Sequence, residues 1–339
     1  MKLHYLILTT ILPFLLPACS KDDEPGEGRG RSMAIEFDTP FIEMTSRSES
    51  GQDIPFSEFK VYGFVNKADS YIYDGDIVSR QPDGSWVCDR TEYWYPGKLY
   101  FFTGIVPVDS KGLNFIPTKK NNATLTGGGT FHYDIGISQA KEDLLYAFSG
   151  TMKTPVTTPT YMPEVEMKFK HLLSRLTLTF HNDLVNPHYF VNAHSIMLCN
   201  VSAKGTINMT QPKPSWQREG TESAWIGINP LYIIKQTEPS QTTPVYLLPL
   251  PVDESWMEIR IQVFYTADPN STQGYPVTDE QLIKVPFPKI NPEAGRSYNL
   301  VCHLTPDNVL GDSEKLVPIS FTVHDETWRW HEDFNVEVP

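Results

Sequence analysis

An all-β fold, two antiparallel β-sandwich domains in tandem, is what the sequence predicts, and three observations predict it. Short runs with period-two or continuous apolar character recur from residue 33 onward, each bounded by Gly, Pro, Asn or Asp. The 28 prolines, 16 tyrosines and 18 phenylalanines favour strands broken by turns over helices. Helical periodicity is hard to find after residue 30. Because each sheet has an apolar face that must be covered, strands of this spacing imply stacked sheets.

Taken in order, the chain opens with Lys2 and then "LHYLILTTILPFLLPA", an apolar stretch too short and too proline-broken for a membrane span. Residues 1–18 read as an export signal. Leu16-Pro17-Ala18-Cys19 resembles the lipobox of bacterial lipoproteins, which implies cleavage between Ala18 and Cys19 and lipidation of Cys19. An ordinary secretory signal ending at Ala18 is the alternative. Residues 19–32, "CSKDDEPGEGRGRS", are polar and Gly/Pro-rich, so they read as a flexible tether. The acidic run after Cys19 resembles the surface-export tag of Bacteroidetes lipoproteins.

Without residues 1–18, 321 residues stay, enough for two domains of about 100–200 residues each. Lys2 is the only charged residue lost, so the formal net charge moves from −13 to −14. So acidic a chain is a poor nucleic-acid binder, and no polybasic membrane patch is visible. Cys88, Cys199 and Cys302 show no CxxC or CxxH spacing and read as buried free thiols. A Cys199–Cys302 disulfide is permitted by an oxidising compartment but not demanded by spacing.

The strand-like runs begin with "MAIEFDT", "EFKVYGFVN", "SYIYDGDIV", "SWVCDR", "KLYFFTGIVP" and "LLYAFSG". The Pro/Thr-rich stretch 149–163, "SGTMKTPVTTPTYMP", then interrupts the pattern, because proline removes backbone donors and threonine keeps the chain solvated. It divides the chain into domains 33–155 and 156–339, unless it is a long surface loop inside one sandwich. "VEMKFKHLLSRLTLTF", "HSIMLCNVS", "VYLLPL", "MEIRIQVFY", "LIKVPF", "SYNLVCHLT" and "VPISFTVHDE" continue the pattern beyond it. One helical turn is expected at "LLSRL".

In sequence order, several of these pieces resemble the fimbrillin superfamily of Bacteroidetes, the Mfa-like and FimB-like subunits of type V pili. They are "MAIEFDTPFIEMTSRSESG" with "FSEFKVYGFV", "EYWYPGKLYFFTGIVP", "KEDLLYAFSG", "MKFKHLLSRLTLTF" and "NPEAGRSYNLVCHL…ISFTVHDETW". Tyr95 is inserted relative to the family pattern, and Thr103-Gly104 stands where Tyr-Ala is usual. The resemblance implies two transthyretin-like sandwiches, no catalysis, and assembly by strand exchange with other pilus subunits. It further implies a protease cut after an Arg in the loop behind the first strand. Arg47 in "MTSRSESG" holds that place, where an ordinary loop cation is the plainer reading.

If residues 33–39 are a removable strand, Met33, Ile35, Phe37 and Thr39 face the core and Ala34, Glu36 and Asp38 face away. Near the C-terminus "FNVEV" places Phe334, Val336 and Val338 on one face. That tail is a candidate donor strand for a neighbouring subunit, or it completes its own domain.

No enzyme signature appears. His181, His188 and His194 are spaced by seven and six, unlike zinc ligands, and read as solvated loop residues. His171 shares a strand face with Phe169, so it is expected to be buried and hydrogen-bonded. There is no G-x-S-x-G, H-E-x-x-H, Walker loop or calcium loop, and Asp143, Glu254 and Glu258 could pair as carboxylates only through the fold. Tryptophans 86, 94, 216, 225, 256, 328 and 330 read chiefly as core, with sugar stacking as the alternative for any that are exposed. The sequence thus predicts a surface-exposed subunit of a fimbrium, held at the outer membrane by a lipid anchor and without a cofactor. The alternative is a stand-alone surface lipoprotein that binds a glycan or host protein without polymerising.

Overall fold

The computed structural model describes residues 33–43, 54–66, 70–118, 128–157, 161–233, 236, 238–310 and 317–327. In chain order the first strands are β1 (Phe41–Ile42), β2 (Glu58–Val65), β3 (Ser70–Arg80), β4 (Trp86–Cys88), β5 (Leu99–Val106), β6 (Leu113–Pro117), β7 (Gly129–Asp134), β8 (Leu145–Phe148), β9 (Met152–Lys153) and β10 (Lys168–His171). They are followed by β11 (Ser174–Asn182), β12 (Tyr189–Ser202), β13 (Lys204–Asn208), β14 (Gln217–Arg218), β15 (Ser223–Ile228), β16 (Leu231–Ile233), β17 (Ser240–Gln241) and β18 (Val245–Leu247). The last are β19 (Trp256–Tyr265), β20 (Tyr275–Pro276), β21 (Gln281–Pro286), β22 (Arg296–Leu304) and β23 (Thr322–Thr327). The helices among the described residues are two single turns, α1 (Ile135–Ser138) and α2 (Pro306–Val309).

These strands form four sheets, so the all-β prediction holds. An eight-stranded sheet runs β1-β10-β8-β5-β2-β3-β4 with β9 beside β5, and a four-stranded sheet runs β14-β13-β7-β6. A five-stranded sheet runs β17-β11-β22-β23 with β18 beside β11. The six-stranded sheet runs β15-β12-β19-β20, with β16 beside β12 and β21 beside β19. Two pairings depart from the antiparallel expectation: β1–β10 and β11–β22 are parallel. A parallel pair needs a crossover connection. For β11–β22, the whole six-stranded sheet is built within that crossover.

The turn expected at "LLSRL" is strand instead. Ser174 and Arg175 open β11, which pairs with β18 on one side and β22 on the other, so its backbone groups are committed to the sheet. The helical turn forms at α1, where Asp134 Oδ1 accepts from the N–H groups of Gly136 (2.9 Å) and Ile137 (3.2 Å).

Burial explains the two kinds of strand. β5 is almost continuously apolar because both its faces are covered: Tyr100 and Phe102 enter one core and Ile105 the other. β12 alternates, and its register shifts between Ala193 and Ser195 and between Leu198 and Val201. These bulges return Ile196 and Val201 to the core face despite the odd spacing.

The larger core lies between the five- and six-stranded sheets and continues through Phe131 and Tyr133 to Ile105 and Tyr146. The smaller core covers the other face of the eight-stranded sheet, where Phe59, Tyr73 and Phe102 meet Ile35 and Phe37. Strands from either side of the Pro/Thr stretch pair with one another: β8 with β10, and β7 with β13.

The four-stranded sheet approaches the eight-stranded one at Gly128. Its N–H donates to Tyr146 Oη at 2.9 Å, and a Cβ there would lie 1.6 Å from Thr103 Oγ1 and 2.8 Å from Thr103 Cβ. Gly128→Ala is therefore expected to cost about 1–3 kcal/mol by overpacking. Urea denaturation reads this as a lower midpoint, and Thr103→Ala in the same chain should recover part of the loss.

Candidate functional site

The first described segment, residues 33–43, is threaded between two stretches of chain. On one side Ile35 N–H donates to Glu92 O (2.8 Å) and Trp94 N–H to Met33 O (3.0 Å). On the other, Val165 N–H donates to Glu36 O (2.7 Å) and Asp38 N–H to Val165 O (3.1 Å). Phe41 and Glu43 then donate to Met167 O and Phe169 O, where β1 runs parallel to β10. Residues 33–39 make isolated bridges at Ala34 and Phe37 rather than the continuous strand expected. Their rungs are shared between two neighbours, so no run of residues pairs with either.

The expected alternation is present at its centre. Ile35 and Phe37 are each 5% exposed, whereas Glu36 and Asp38 face solvent. Thr39 departs from it: it is exposed, and its N–H turns to Asp38 Oδ1 at 2.7 Å. The Phe37 ring sits in an aromatic cage, 5.9 Å from Phe59, 6.0 Å from Tyr73 and 5.9 Å from Phe102 between centroids. Such edge-on and tilted geometry suits the quadrupoles of aromatic rings.

Beside the segment, a groove of about 410 Å³ opens between residues 34–39 and 85–91, with Trp86, Cys88, Arg90 and Glu164 among its walls. Trp86 Nε1 and Tyr73 Oη have no hydrogen-bond partner among the described residues. Burial pushes the Cys88 thiol up to about 12, which leaves it protonated and a poor nucleophile. Arg90 pairs with Asp76 (2.8 Å) and Glu92 (3.3 Å), and its guanidinium lies 5.6 Å from the Tyr73 ring centroid. This place holds extended chain through apolar pockets and backbone rungs.

The residues singled out for processing and exchange, Ala18, Cys19, Arg47, Phe334, Val336 and Val338, lie outside the described residues, as do Trp328 and Trp330. The three spaced histidines are dispersed and partnered. Two of them lie on strands rather than in the loops expected: His181, next to last in β11, stacks on His303 at 4.5 Å, and His194, inside β12, lies 2.9 Å from Glu280, while His188 Nδ1 bonds Thr266 O at 2.8 Å. His171 is buried and its Nδ1 lies 2.8 Å from Asp143 Oδ2. The three described cysteines are free; Cys199 and Cys302 are buried and Cys88 is partly exposed. Trp86, Trp94 and Trp216 are core, whereas Trp225 is 60% exposed. Among the described residues no three metal-ligating side chains converge, and no helix is long and apolar enough to cross a membrane.

The stacked imidazoles carry a pH signature. Burial, and secondly the neighbouring His303, hold His181 below the usual imidazole range. The unfolded chain then binds more protons at mildly acidic pH. Stability is full above about pH 6.5 and is lost as pH falls through the lowered folded-state value. Thermal melts of a His181→Asn variant should show a shallower decline between pH 7 and 5 than the parent.

A family profile described as Fimbrillin-like matches residues 51–325. A search of the curated proteins finds no match. Among solved structures, a fimbrial protein from Bacteroides vulgatus superposes with a TM-score of 0.60 at 11% identity, covering 87% of this chain and 99% of that one. A candidate cell adhesion protein from Bacteroides ovatus gives a TM-score of 0.54 at 14% identity, over 88% and 99% of the two chains. At such identities the structural likeness speaks to fold alone. The profile match runs from before β2 into β23, leaving out residues 33–43, and on it the chain belongs to the fimbrillin-like family.

Proposed function

We propose that the chain is a structural or adhesive subunit of a type V pilus, delivered to the cell surface as a precursor held in the outer membrane by lipidated Cys19. In this reading, cleavage after Arg47 frees residues 33–43, and a strand from a neighbouring subunit takes their place. The observation that carries it is the seating of that segment. Its loss would bare Phe59, Tyr73 and Phe102 together with the backbone groups of residues 92–94 and 165–169 that it now pairs. An apolar slot flanked by unpaired N–H and C=O groups is an unstable edge until another strand fills it. Phe334, Val336 and Val338 offer side chains at the i, i+2 spacing of Ile35 and Phe37, each worth about 1.5–3 kcal/mol if buried.

An Arg47→Ala variant and a chain ending at His331 should both reach the surface folded yet be absent from high-mass polymers on gels. If both assemble as readily as the parent, strand exchange as placed here is wrong, and the stand-alone surface lipoprotein takes its place. Mass spectrometry of the membrane-bound protein tests the anchor. An N-terminus at Ser20, or an unmodified Cys19, would overturn it.

A further inference from the structure

We infer that the outer face of the six-stranded sheet carries a glycan-binding platform centred on Trp225. Along β15, Ala224, Ile226 and Ile228 are buried, and Ser223, Trp225 and Gly227 point to solvent. A strand indole 60% exposed contributes little to the core. Its position is nevertheless fixed. The ring meets Trp256 of β19 edge-on, at 6.0 Å and 81°.

Trp256 is itself held on two sides: its Nε1 donates to Glu258 Oε1 at 3.0 Å, and Lys284 Nζ lies 4.0 Å from its ring centroid. Glu258 and Lys284 stand opposite each other on β19 and β21. Gly227, two residues from Trp225 on the same face, keeps the surface low beside the indole. A side chain there would meet Met197 Sδ at 3.6 Å.

This arrangement has the chemistry of pyranose recognition. A pyranose ring presents C–H groups on one face, which stack on an aromatic plane, and hydroxyls at its rim, which need fixed donors and acceptors. Trp225 supplies the plane, while the Glu258 carboxylate and Lys284 ammonium supply acceptor and donor. Charge argues against a protein partner, because the buried centre of a protein interface is depleted in charged residues. Glu258, Lys284, Arg260 and Glu280 bring charge onto the same face. The formal charge of −13 argues against nucleic acid. The platform is independent of strand exchange, since residues 33–43 sit on the eight-stranded sheet's side of the molecule.

The test is affinity electrophoresis of the detergent-purified full chain through gels containing yeast mannan, dextran, larch arabinogalactan or gastric mucin. Retardation by at least one of them is expected. Trp225→Ala should weaken it about tenfold or more while leaving the melting temperature unchanged, and Trp225→Phe should retain most of it. Lack of retardation in all four gels, or equal retardation of Trp225→Ala, overturns the proposal. So does mucin binding that survives periodate oxidation of its sugars, which would mark a protein ligand. Sedimentation in which the parent self-associates and Trp225→Ala does not would assign the patch to a second copy instead.

Discussion

Phe37→Ala is expected to destabilise the smaller core by about 3–5 kcal/mol, the cost of deleting a buried phenylalanine from a site that cannot collapse around the void. Three features of the site set the size of the effect. The side chain is 5% exposed, it touches three rings from β2, β3 and β5, and those strands are paired in one sheet and cannot close inward. Glu36→Ala and Asp38→Ala, on the exposed face of the same segment, should stay within about 0.5 kcal/mol of the parent. Urea midpoints of the three variants make the comparison. A loss below about 1 kcal/mol for Phe37→Ala would mean that the segment rests on the core without completing it, and the case for an exchangeable strand would lose its main support.

What could be read from the sequence follows from how each strand meets its core. β2, β5, β19 and β22 were legible because their apolar side chains recur every second residue or run unbroken. The four-stranded sheet was not. β7, "GTFHYD", buries Gly129, Phe131 and Tyr133, but Gly carries no apolar signal. β13, "KGTIN", buries Gly205 and Ile207 for the same reason. In that sheet β7 pairs with β13, whose partner residues lie 70 to 78 positions away, a pairing that no local pattern announces. The alternation of Ile35 and Phe37 was readable from the sequence, but the cage that receives Phe37 was not, since its rings come from three separate strands. For Trp225 the strand "SAWIGI" fixes which face it takes, whereas its exposure depends on nothing packing over that sheet.

The second large effect is expected where the chain leaves the eight-stranded sheet for the five-stranded one. His171 ends β10, and its side chain is 5% exposed against 12% for Asp143, with Nδ1 and Oδ2 2.8 Å apart. Asp143 Oδ1 has no hydrogen-bond partner among the described residues, so the carboxyl group depends heavily on this contact. The neighbouring backbone is equally committed: Leu172 N–H donates to Leu144 O at 2.8 Å, and Trp216 Nε1 donates to Leu172 O at 2.7 Å. Replacing His171 with Phe leaves a buried carboxyl group without its donor and should cost about 3–5 kcal/mol. The exposed Lys168–Glu166 pair on the same stretch should cost less than about 1 kcal/mol when broken. Apolar replacement of both partners, His171→Phe with Asp143→Leu, should recover most of the loss, because neither side then buries an unsatisfied group. Equilibrium unfolding of the two singles and the double closes the cycle. Additive losses would show that packing around the ring, rather than the His171–Asp143 bond, holds this crossing in place.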